Sequence, residues 1–285
     1  ILQSKTGAVP RYKRYLDEVE GVPIGDVWTD LRMLQGASKE RLGYPTQKPE
    51  ALLERIIAAS CPENGVVLDP FAGCGTSIVA AQRSGRAWIG IDITYAAIGL
   101  IRKRLKDSFG EDAQYTVVGE PTTVADAFAL FQQDPYQFQW WALARVGAGK
   151  TEQKKGSDKG IDGRLYFFDD PTGKTKQIIF SVKGGKVDVG DIRDLRGVID
   201  RESAEIGVLI TLRGPTRDMR TEALSAGYYT SPWNNQDHPR IQILTIKELL
   251  EGKKIDYNPA QGANVTFQKA PKAKKQAGKQ QEMDL

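Results

Sequence analysis

The stretch Asp69–Thr76, with the sequence DPFAGCGT, decides how the first half of this chain folds. A short apolar run, Gly65–Asp69, leads into it, and a helix-forming run follows it. Gly73 and Gly75 allow backbone conformations and close approaches that other residues resist. A second apolar run ends in Asp92, 23 positions after Asp69 (92 minus 69). This order predicts a β-α-β-α unit of a parallel, doubly wound sheet.

The hydrophobic periodicity on both sides of this stretch supplies the remaining elements of the unit. Helices are predicted over 49–59, 77–83 and 96–105, and strands over 65–70, 87–92 and 114–118.

The residue types of the loop predict a ligand with an anionic group and a ribose. The loop opens a helix, whose free N–H groups and dipole favour an anion such as a methionine carboxylate. An acid at the position of Asp92 commonly accepts hydrogen bonds from the two hydroxyls of a ribose. Nicotinamide, flavin and methyl-donor enzymes share this pattern, so the loop alone leaves these three classes open.

Two motifs together narrow the choice. DPFAGCGT and the upstream string Tyr44–Pro49, YPTQKP, resemble the two cofactor motifs of DNA methyltransferases that modify adenine N6 or cytosine N4, in the permuted order of that family. The resemblance implies S-adenosyl-L-methionine as cofactor. Thr46 and Lys48 would hold its methionine end, Phe71 would lie near the adenine or sulfonium, and Asp92 would hold the ribose. The implied cofactor-binding residues are Thr46, Lys48, Asp69, Phe71, Gly73, Gly75, Thr76 and Asp92.

The catalytic motif of that family, a polar residue followed by Pro-Pro and an aromatic residue, is missing from the sequence. Asp134–Tyr136 and Ser231–Trp233 each lack one proline, and neither ends an apolar strand. We therefore expect the chain to be the C-terminal part of a longer enzyme, with residues 1–43 ending an upstream target-recognition region. Methyl transfer would need that upstream segment.

The second half of the chain contains an acid and a lysine at the end of a predicted hairpin. Strands are predicted over 161–168 and 177–183, with a turn between them. Ser181 and Lys183 share one strand face, and Asp162 can lie beside them. An acid that holds a hard cation, with a lysine near the attacking water, is typical of a Mg²⁺-dependent nuclease.

The elements around the hairpin resemble the PD-(D/E)xK nuclease fold, in its Mrr-like restriction endonuclease branch, over about 134–250. Helices are predicted over 124–131, 136–146, 191–200, 216–226 and 247–251, and strands over 204–211 and 240–246. The resemblance implies Asp162 as the Mg²⁺ ligand. Ser181 stands where that family has Glu or Gln, and Gln139 stands where it often has Glu. A carboxylate ligand is therefore missing, and water, Asp158 or a backbone carbonyl would take its place. The implied catalytic residues are Asp162, Lys183, Ser181 and Gln139.

Composition fits a two-domain α/β protein of 285 residues. The net charge is +4, of which residues 269–285 carry +3 (five Lys minus Glu282 and Asp284), so that tail is predicted to be disordered. Two cysteines make no disulfide framework, and no apolar run has the length of a membrane helix, so a reducing cytoplasm is expected. The predicted domains are 1–43, an S-adenosylmethionine-binding part at 44–118, a linker at 119–133, a nuclease-like domain at 134–252 and a tail at 253–285.

These observations predict a restriction–modification protein that acts on double-stranded DNA, in which a methyltransferase part is fused to an endonuclease domain. A homodimer is left open. Two alternatives remain: a DNA-binding or specificity module whose nuclease site has decayed, and a small-molecule methyltransferase with an unrelated C-terminal domain.

Overall fold

The computed structural model of the chain describes residues 25–35, 38, 40–150, 160–170 and 173–258. Three predictions lie outside these residues: most of the upstream region, the run 156–159 with Asp158, and the basic tail over 269–285. The chain from Met33 onward forms one compact unit. The piece before it forms a separate unit, in which Trp28 Nε1 donates to the carbonyl of Gly25 at 2.6 Å.

The predicted β-α-β-α unit is present. β1 and β2 pair in parallel, with Val66 opposite Ala87 and Asp69 opposite Gly90. The elements are α1 (Glu50–Ser60), β1 (Val66–Asp69), α2 (Thr76–Arg83), β2 (Ala87–Gly90), α3 (Tyr95–Phe109) and a short 3-10 helix, Gly110–Asp112.

Among the described residues, helices cover only one face of this small sheet. Val67 and Trp88 point toward α1 and α2 and join the apolar cluster around Ile57 and Ala81. The alternate residues point the other way and remain exposed: Val66 (57%), Leu68 (60%), Ile89 (53%) and Ile91 (52%). Parallel sheets are normally buried on both faces. The methyltransferase-like part therefore has an open sheet face, which we define by these four residues.

The strand predicted over 114–118 is wrong. The segment lies near β2, with the rings of Tyr115 and Trp88 6.1 Å apart, but it forms no ladder with that strand. A cavity of about 700 Å³ is lined by both β2 and this segment. Val118 is 90% exposed, so strand formation here would gain little burial.

The second half contains a mixed five-stranded sheet, in the order β3-β4-β5-β6-β9. β3, β4 and β5 are antiparallel, whereas β5, β6 and β9 are parallel. The prediction missed β3 and the separate hairpin of β7 and β8. The strands are β3 (Gly149–Lys150), β4 (Gly163–Phe168), β5 (Thr175–Lys183), β6 (Ile206–Thr211), β7 (Tyr228–Thr230), β8 (Asp237–Pro239) and β9 (Ile241–Thr245).

Helices pack on both faces of this sheet, as its alternating apolar residues require. One cluster joins Phe138 and Trp141 to Phe180, and the other joins Ile192 and Met219 to Leu209. In the described part of the chain, no helix has the length and apolarity needed to cross a bilayer. The helices are α4 (Val124–Gln133), α5 (Pro135–Arg145), α6 (Val189–Arg201), α7 (Arg217–Ser225) and α8 (Ile246–Leu250).

A fully buried carboxylate fastens the β7–β8 hairpin and the end of the described chain to β4. Asp169 accepts hydrogen bonds from the Tyr229 hydroxyl (2.9 Å), the Ser231 hydroxyl (2.8 Å) and Asn258 Nδ2 (2.8 Å). Burial and the neighbouring Asp169 raise the pKa of the Tyr229 hydroxyl well above its ordinary value. Donors from three places in the sequence thus compensate the cost of burying this group.

The two sheets are joined by direct packing of α3 on α5. A Cβ atom on Gly99 would lie 2.6 Å from the Cβ of Ala144, so the two helix backbones approach closely. The amide of Tyr95, at the start of α3, donates to Gln137 Oε1 at 3.2 Å. The methyltransferase-like part therefore packs along α5, from Gln137 in its first turn to Ala144 in its last.

We expect Gly99→Ala to destabilise the protein and the matched change Gly197→Ala to stabilise it. Both glycines lie inside helices, so alanine should contribute about 0.5–1 kcal/mol of helix propensity at each. Gly197 has open space around the new methyl group, whereas at Gly99 it overlaps Ala144. Overpacking of this kind costs about 1–3 kcal/mol. Denaturant unfolding measures both values, and equal stabilisation by the two changes would contradict the α3–α5 packing.

Candidate functional site

The glycine-rich loop is held in a fixed shape between β1 and α2. Gly73 and Gly75 both adopt positive φ angles, 53° and 72°, which few other residues tolerate. Asp69 accepts hydrogen bonds from the amide of Phe71 (3.0 Å) and from the hydroxyl of Ser77. Both carboxylate oxygens of Asp69 therefore shape the loop, and its role in cofactor binding stays a prediction.

Asp92 connects the loop to the end of β2. Its Oδ2 accepts the amide of Gly73 at 2.8 Å, and its Oδ1 accepts the amide and hydroxyl of Thr94 at 2.9 and 3.0 Å. A carboxylate has about four acceptor positions, so one remains on Oδ2. Asp92 also lines the 700 Å³ cavity beside β2. It is thus placed to accept a ligand hydroxyl next to the glycine-rich loop.

Tyr44 brings the upstream motif against the glycine-rich loop. A Cβ on Gly73 would lie 3.1 Å from Tyr44 Cε1, so the ring contacts the loop backbone. Burial raises the pKa of the Tyr44 hydroxyl, and the negative charge of Asp92 and the Cys74 thiol add to the rise. Tyr44 is the first residue of the upstream motif, but the sequence predicted no role for it.

The other residues of the upstream motif behave differently from one another. Gln47 holds the turn by donating to the carbonyl of Glu40 (2.7 Å) and accepting the amide of Leu42 (2.8 Å). Thr46 and Lys48 are exposed, and Lys48 Nζ donates to the carbonyl of Thr46 at 3.1 Å. The two motifs therefore meet, but the contact runs through Tyr44. The expected roles of Thr46 and Lys48 stay predictions.

A buried ion pair lies directly under the loop. Arg104, 2% exposed, donates to the carbonyl of Cys74 (3.2 Å), to Thr76 Oγ1 (3.0 Å) and to Glu50 Oε2 (3.3 Å). Burial raises the pKa of the Glu50 carboxyl, although Arg83 and Arg104 both oppose the rise. Sequence reasoning missed this pair. The available signal was a charged residue, Arg104, between Ile101 and Leu105 on the apolar side of a predicted helix.

This pair also changes the expected role of Thr76. The Thr76 hydroxyl faces inward and is bound by Arg104, so only its backbone N–H can face a ligand. Phe71 has the opposite environment, since its side chain is 88% exposed at the outside of the loop. The Phe71 ring is therefore accessible to a ligand, whereas the Thr76 side chain is buried against Arg104.

Three of the four residues predicted for the nuclease-like site lie on one face of the second sheet: Asp162, Ser181 and Lys183. Gly163 pairs with Phe180 in the β4–β5 ladder, and the amide of Asp162 donates to the carbonyl of Phe180 at 2.9 Å. One step further along this register, Asp162 lies opposite Ser181, on the face that also bears Lys183. Asp162 Oδ2 accepts the amide of Val182 at 2.6 Å. One oxygen of the only acid in this group is therefore engaged in holding the hairpin.

Gln139 lies on α5, whose buried side packs against the opposite face of the sheet, in the cluster of Phe138 and Phe180. Ser181 alternates with Phe180 and so faces away from that cluster. Within the described ranges, no three His, Cys, Asp or Glu side chains are placed to share a metal ion. Asp162 is thus the one carboxylate that the described residues bring to this group, and an ion bound there would take most of its six octahedral positions from water.

Two family profiles match the chain. The DNA methylase family (N6/N4) matches residues 3–103, and the family described as NACHT-associated inactive Restriction Endonuclease 1 matches residues 135–251.

The curated relatives include several DNA methyltransferases. The type II methyltransferase M2.DpnII of Streptococcus pneumoniae is 47% identical over 87 residues, which are 30% of this chain and 32% of that protein. M.HpaI of Haemophilus parainfluenzae is 39% identical over 99 residues, 35% of this chain and 31% of the relative. The DNA adenine methyltransferase YhdJ of Escherichia coli (strain K12) is 49% identical over 80 residues, 27% of each. The chain spans about a third of the length of the relatives it matches.

Two solved structures also match. A complex of M1.HpyAVI with SAM is 38% identical, with a TM-score of 0.24. The match covers 29% of this chain and 41% of the M1.HpyAVI chain. The restriction endonuclease MspJI bound to a 27-mer oligonucleotide is 13% identical, with a TM-score of 0.33. The match covers 48% of this chain and 34% of the MspJI chain.

The family matches agree with the order of the two motif sets along the sequence. The chain therefore carries part of an N6/N4 DNA methylase domain, followed by a restriction endonuclease-like domain of the NACHT-associated family described as inactive.

Proposed function

We propose that the first part of the chain binds S-adenosyl-L-methionine for a DNA methyltransferase that modifies a base amino group. The observation that carries this proposal is the bond between Asp92 and the amide of Gly73, which fixes a hydroxyl acceptor beside a glycine-rich helix start. Phe71 is exposed at the same loop and can cover the bound group. The cofactor would supply the methyl group, while these residues would hold and orient its adenosyl and methionine ends.

Methyl transfer, on this proposal, needs a complementary segment that carries the catalytic motif. The open sheet face supports this, because Val66, Leu68 and Ile89 remain exposed on a parallel sheet. Neither partial motif in the chain can substitute. Asp134 caps the first turn of α5, and Ser231 is bound to the buried Asp169. The described chain therefore supplies cofactor contacts, and the target base would be held elsewhere.

Replacing Asp92 with alanine should weaken binding of S-adenosylhomocysteine at least tenfold. The change removes a charged acceptor, and such hydrogen bonds contribute about 1.5–3 kcal/mol. Asp112→Ala removes the same group from an exposed position after α3 and should leave the affinity unchanged. Isothermal titration of the full chain measures both values. Equal affinities for the two variants would exclude Asp92 as a cofactor residue.

For the C-terminal domain we propose duplex DNA binding without cleavage. The carboxyl ends of the parallel strands β5 and β6 lie together, and the amide of Leu212 donates to the carbonyl of Lys183 at 3.2 Å. The exposed basic residues of this edge are Lys183, Lys186, Arg213 and Arg217. Clustered lysine and arginine side chains that contact phosphates give sequence-independent, salt-dependent binding.

Mg²⁺-dependent cleavage is the second candidate, favoured by the shared face of Asp162 and Lys183. Three observations weigh against it: the engaged oxygen of Asp162, the serine at position 181, and the match to a family described as inactive. With Asp162 as the one carboxylate among the described residues, water and substrate would have to supply the remaining ligands of an octahedral Mg²⁺. We therefore place the domain beside the methyltransferase part as a DNA-holding module of a restriction–modification protein.

The basic edge makes a testable prediction about salt dependence. Lys183→Ala and Arg213→Ala should each weaken duplex DNA binding to any sequence and reduce the slope of log affinity against log salt by about 1. Lys254→Ala removes an exposed lysine from the segment after α8 and should change neither quantity. Fluorescence anisotropy at several salt concentrations measures all three. A uniform small loss in every variant would mean that net charge alone, and no defined edge, binds DNA.

Cleavage is tested directly with supercoiled plasmid and Mg²⁺. We expect the full chain and its Lys183→Ala variant to leave the plasmid intact, because Asp162 is the one carboxylate that the described residues place in this group. Nicking by the wild type that Lys183→Ala abolishes would establish the endonuclease and overturn the non-cleaving assignment.

A further inference from the structure

We propose that the C-terminal domain contributes a residue to the adenosyl pocket: the side-chain amide of Gln137, on α5, donates a hydrogen bond to the adenine nucleoside bound at Asp92. This inference rests on the proposed function, since it concerns the same pocket, but it assigns part of that pocket to the other domain.

The cavity beside β2 is enclosed by both halves of the chain. Asp92 and Ile93 line it from the end of β2, Val118 lines it from the segment after α3, and Asp134 and Gln137 line it from the corner between α4 and α5. Its volume, about 700 Å³, lies within the range of about 300–1,000 Å³ that is usual for small-molecule sites. A nucleoside held at Asp92 and extending into this cavity would reach the first turn of α5.

The side chain of Gln137 is oriented by its contact with α3. Its Oε1 accepts the amide of Tyr95 at 3.2 Å, which leaves the two N–H donors of Nε2 for another partner. Among the described residues, Nε2 makes no hydrogen bond, while the side chain lines the cavity. An adenine ring offers nitrogen acceptors at its edge, which an amide of this kind can bind.

The cavity has the other features that a flat base and a ribose require. Ile93 and Val118 are each 90% exposed and line the cavity, so apolar side chains are available to cover a base. Asp92 retains an acceptor position for a ribose hydroxyl, as described above. Together with Gln137, these residues provide an acid for the sugar, apolar walls for the ring and a donor for its edge.

Gln137 is held in a fixed position relative to Asp92. Thr94 is bound to Asp92 and caps α3 at the amide of Ala97, and Tyr95, the next residue, bonds to Gln137. On the other side, Asp134 caps α5 and accepts the amide of Gln137 at 3.1 Å. A ligand that contacts both Asp92 and Gln137 would therefore bridge the two domains.

The test uses Gln137→Glu in the full chain, with S-adenosylhomocysteine as the probe. Glutamate keeps an oxygen for the amide of Tyr95 but removes the N–H donors. We expect the affinity to fall about tenfold, the size expected for one lost hydrogen bond. Gln132→Glu makes the same change at an exposed position of α4 outside the cavity and should leave the affinity unchanged.

A second probe separates a ligand contact from general damage to the loop. 5′-Methylthioadenosine contains the adenosine but lacks the amino acid, so Gln137→Glu should weaken it by the same factor. Gln137→Met, which introduces no charge, should reproduce the loss for both probes. Wild-type affinity in Gln137→Glu, or a loss for S-adenosylhomocysteine alone, would overturn the inference while leaving the cofactor assignment intact. Absence of binding by the wild type would overturn the cofactor assignment and, with it, this inference.

Discussion

The buried guanidinium of Arg104 is the interaction on which the methyltransferase-like part depends. It reaches from α3 to the carbonyl of Cys74 in the glycine-rich loop, to Thr76 at the start of α2, and to Glu50 at the start of α1. Removing one partner from a buried ion pair costs about 3–5 kcal/mol, because the other charge is left without compensation. The position of the loop is therefore set by the buried side chain of Arg104, which contacts its inner side.

This arrangement explains why a two-stranded sheet can hold a cofactor loop in a defined shape. The open sheet face gives the strands little burial on one side, but α1, α2 and α3 are tied together on the other by charge and packing. The docking of α3 on α5 adds a further support, since Gly99 lets the two helices approach closely. The second domain thus supports α3 as well as carrying its own basic edge.

Two carboxylates in the second domain, Asp162 and Asp169, accept hydrogen bonds that hold neighbouring segments together. Asp169 is buried with three neutral donors, and one oxygen of Asp162 holds the amide of Val182. An acid whose oxygens accept backbone or hydroxyl protons has fewer positions left for a cation. In the hairpin that resembles a nuclease, an oxygen of Asp162 thus holds the backbone of β5, and Lys183 at the end of β5 and Arg213 after β6 remain exposed.

The sequence by itself determined the identity and order of the main helices and strands, because apolar periodicity and glycine punctuation are local properties. It also determined the cofactor loop, since DPFAGCGT combines a strand end, two positive-φ glycines and a helix start in eight residues. It predicted a strand over 114–118 that does not form, because β-forming residues make a strand only where a neighbouring strand pairs with them. It missed β7 and β8, which are held by the distant Asp169.

Only the tertiary structure decided which side chains of the motifs face a ligand. Thr76 is turned inward by Arg104, and Tyr44 makes the contact between the two motifs. Gln137 accepts the amide of Tyr95 at the start of α3, although 42 positions separate the two residues. Contacts of this kind depend on how helices from different parts of the chain pack, and no local pattern records them.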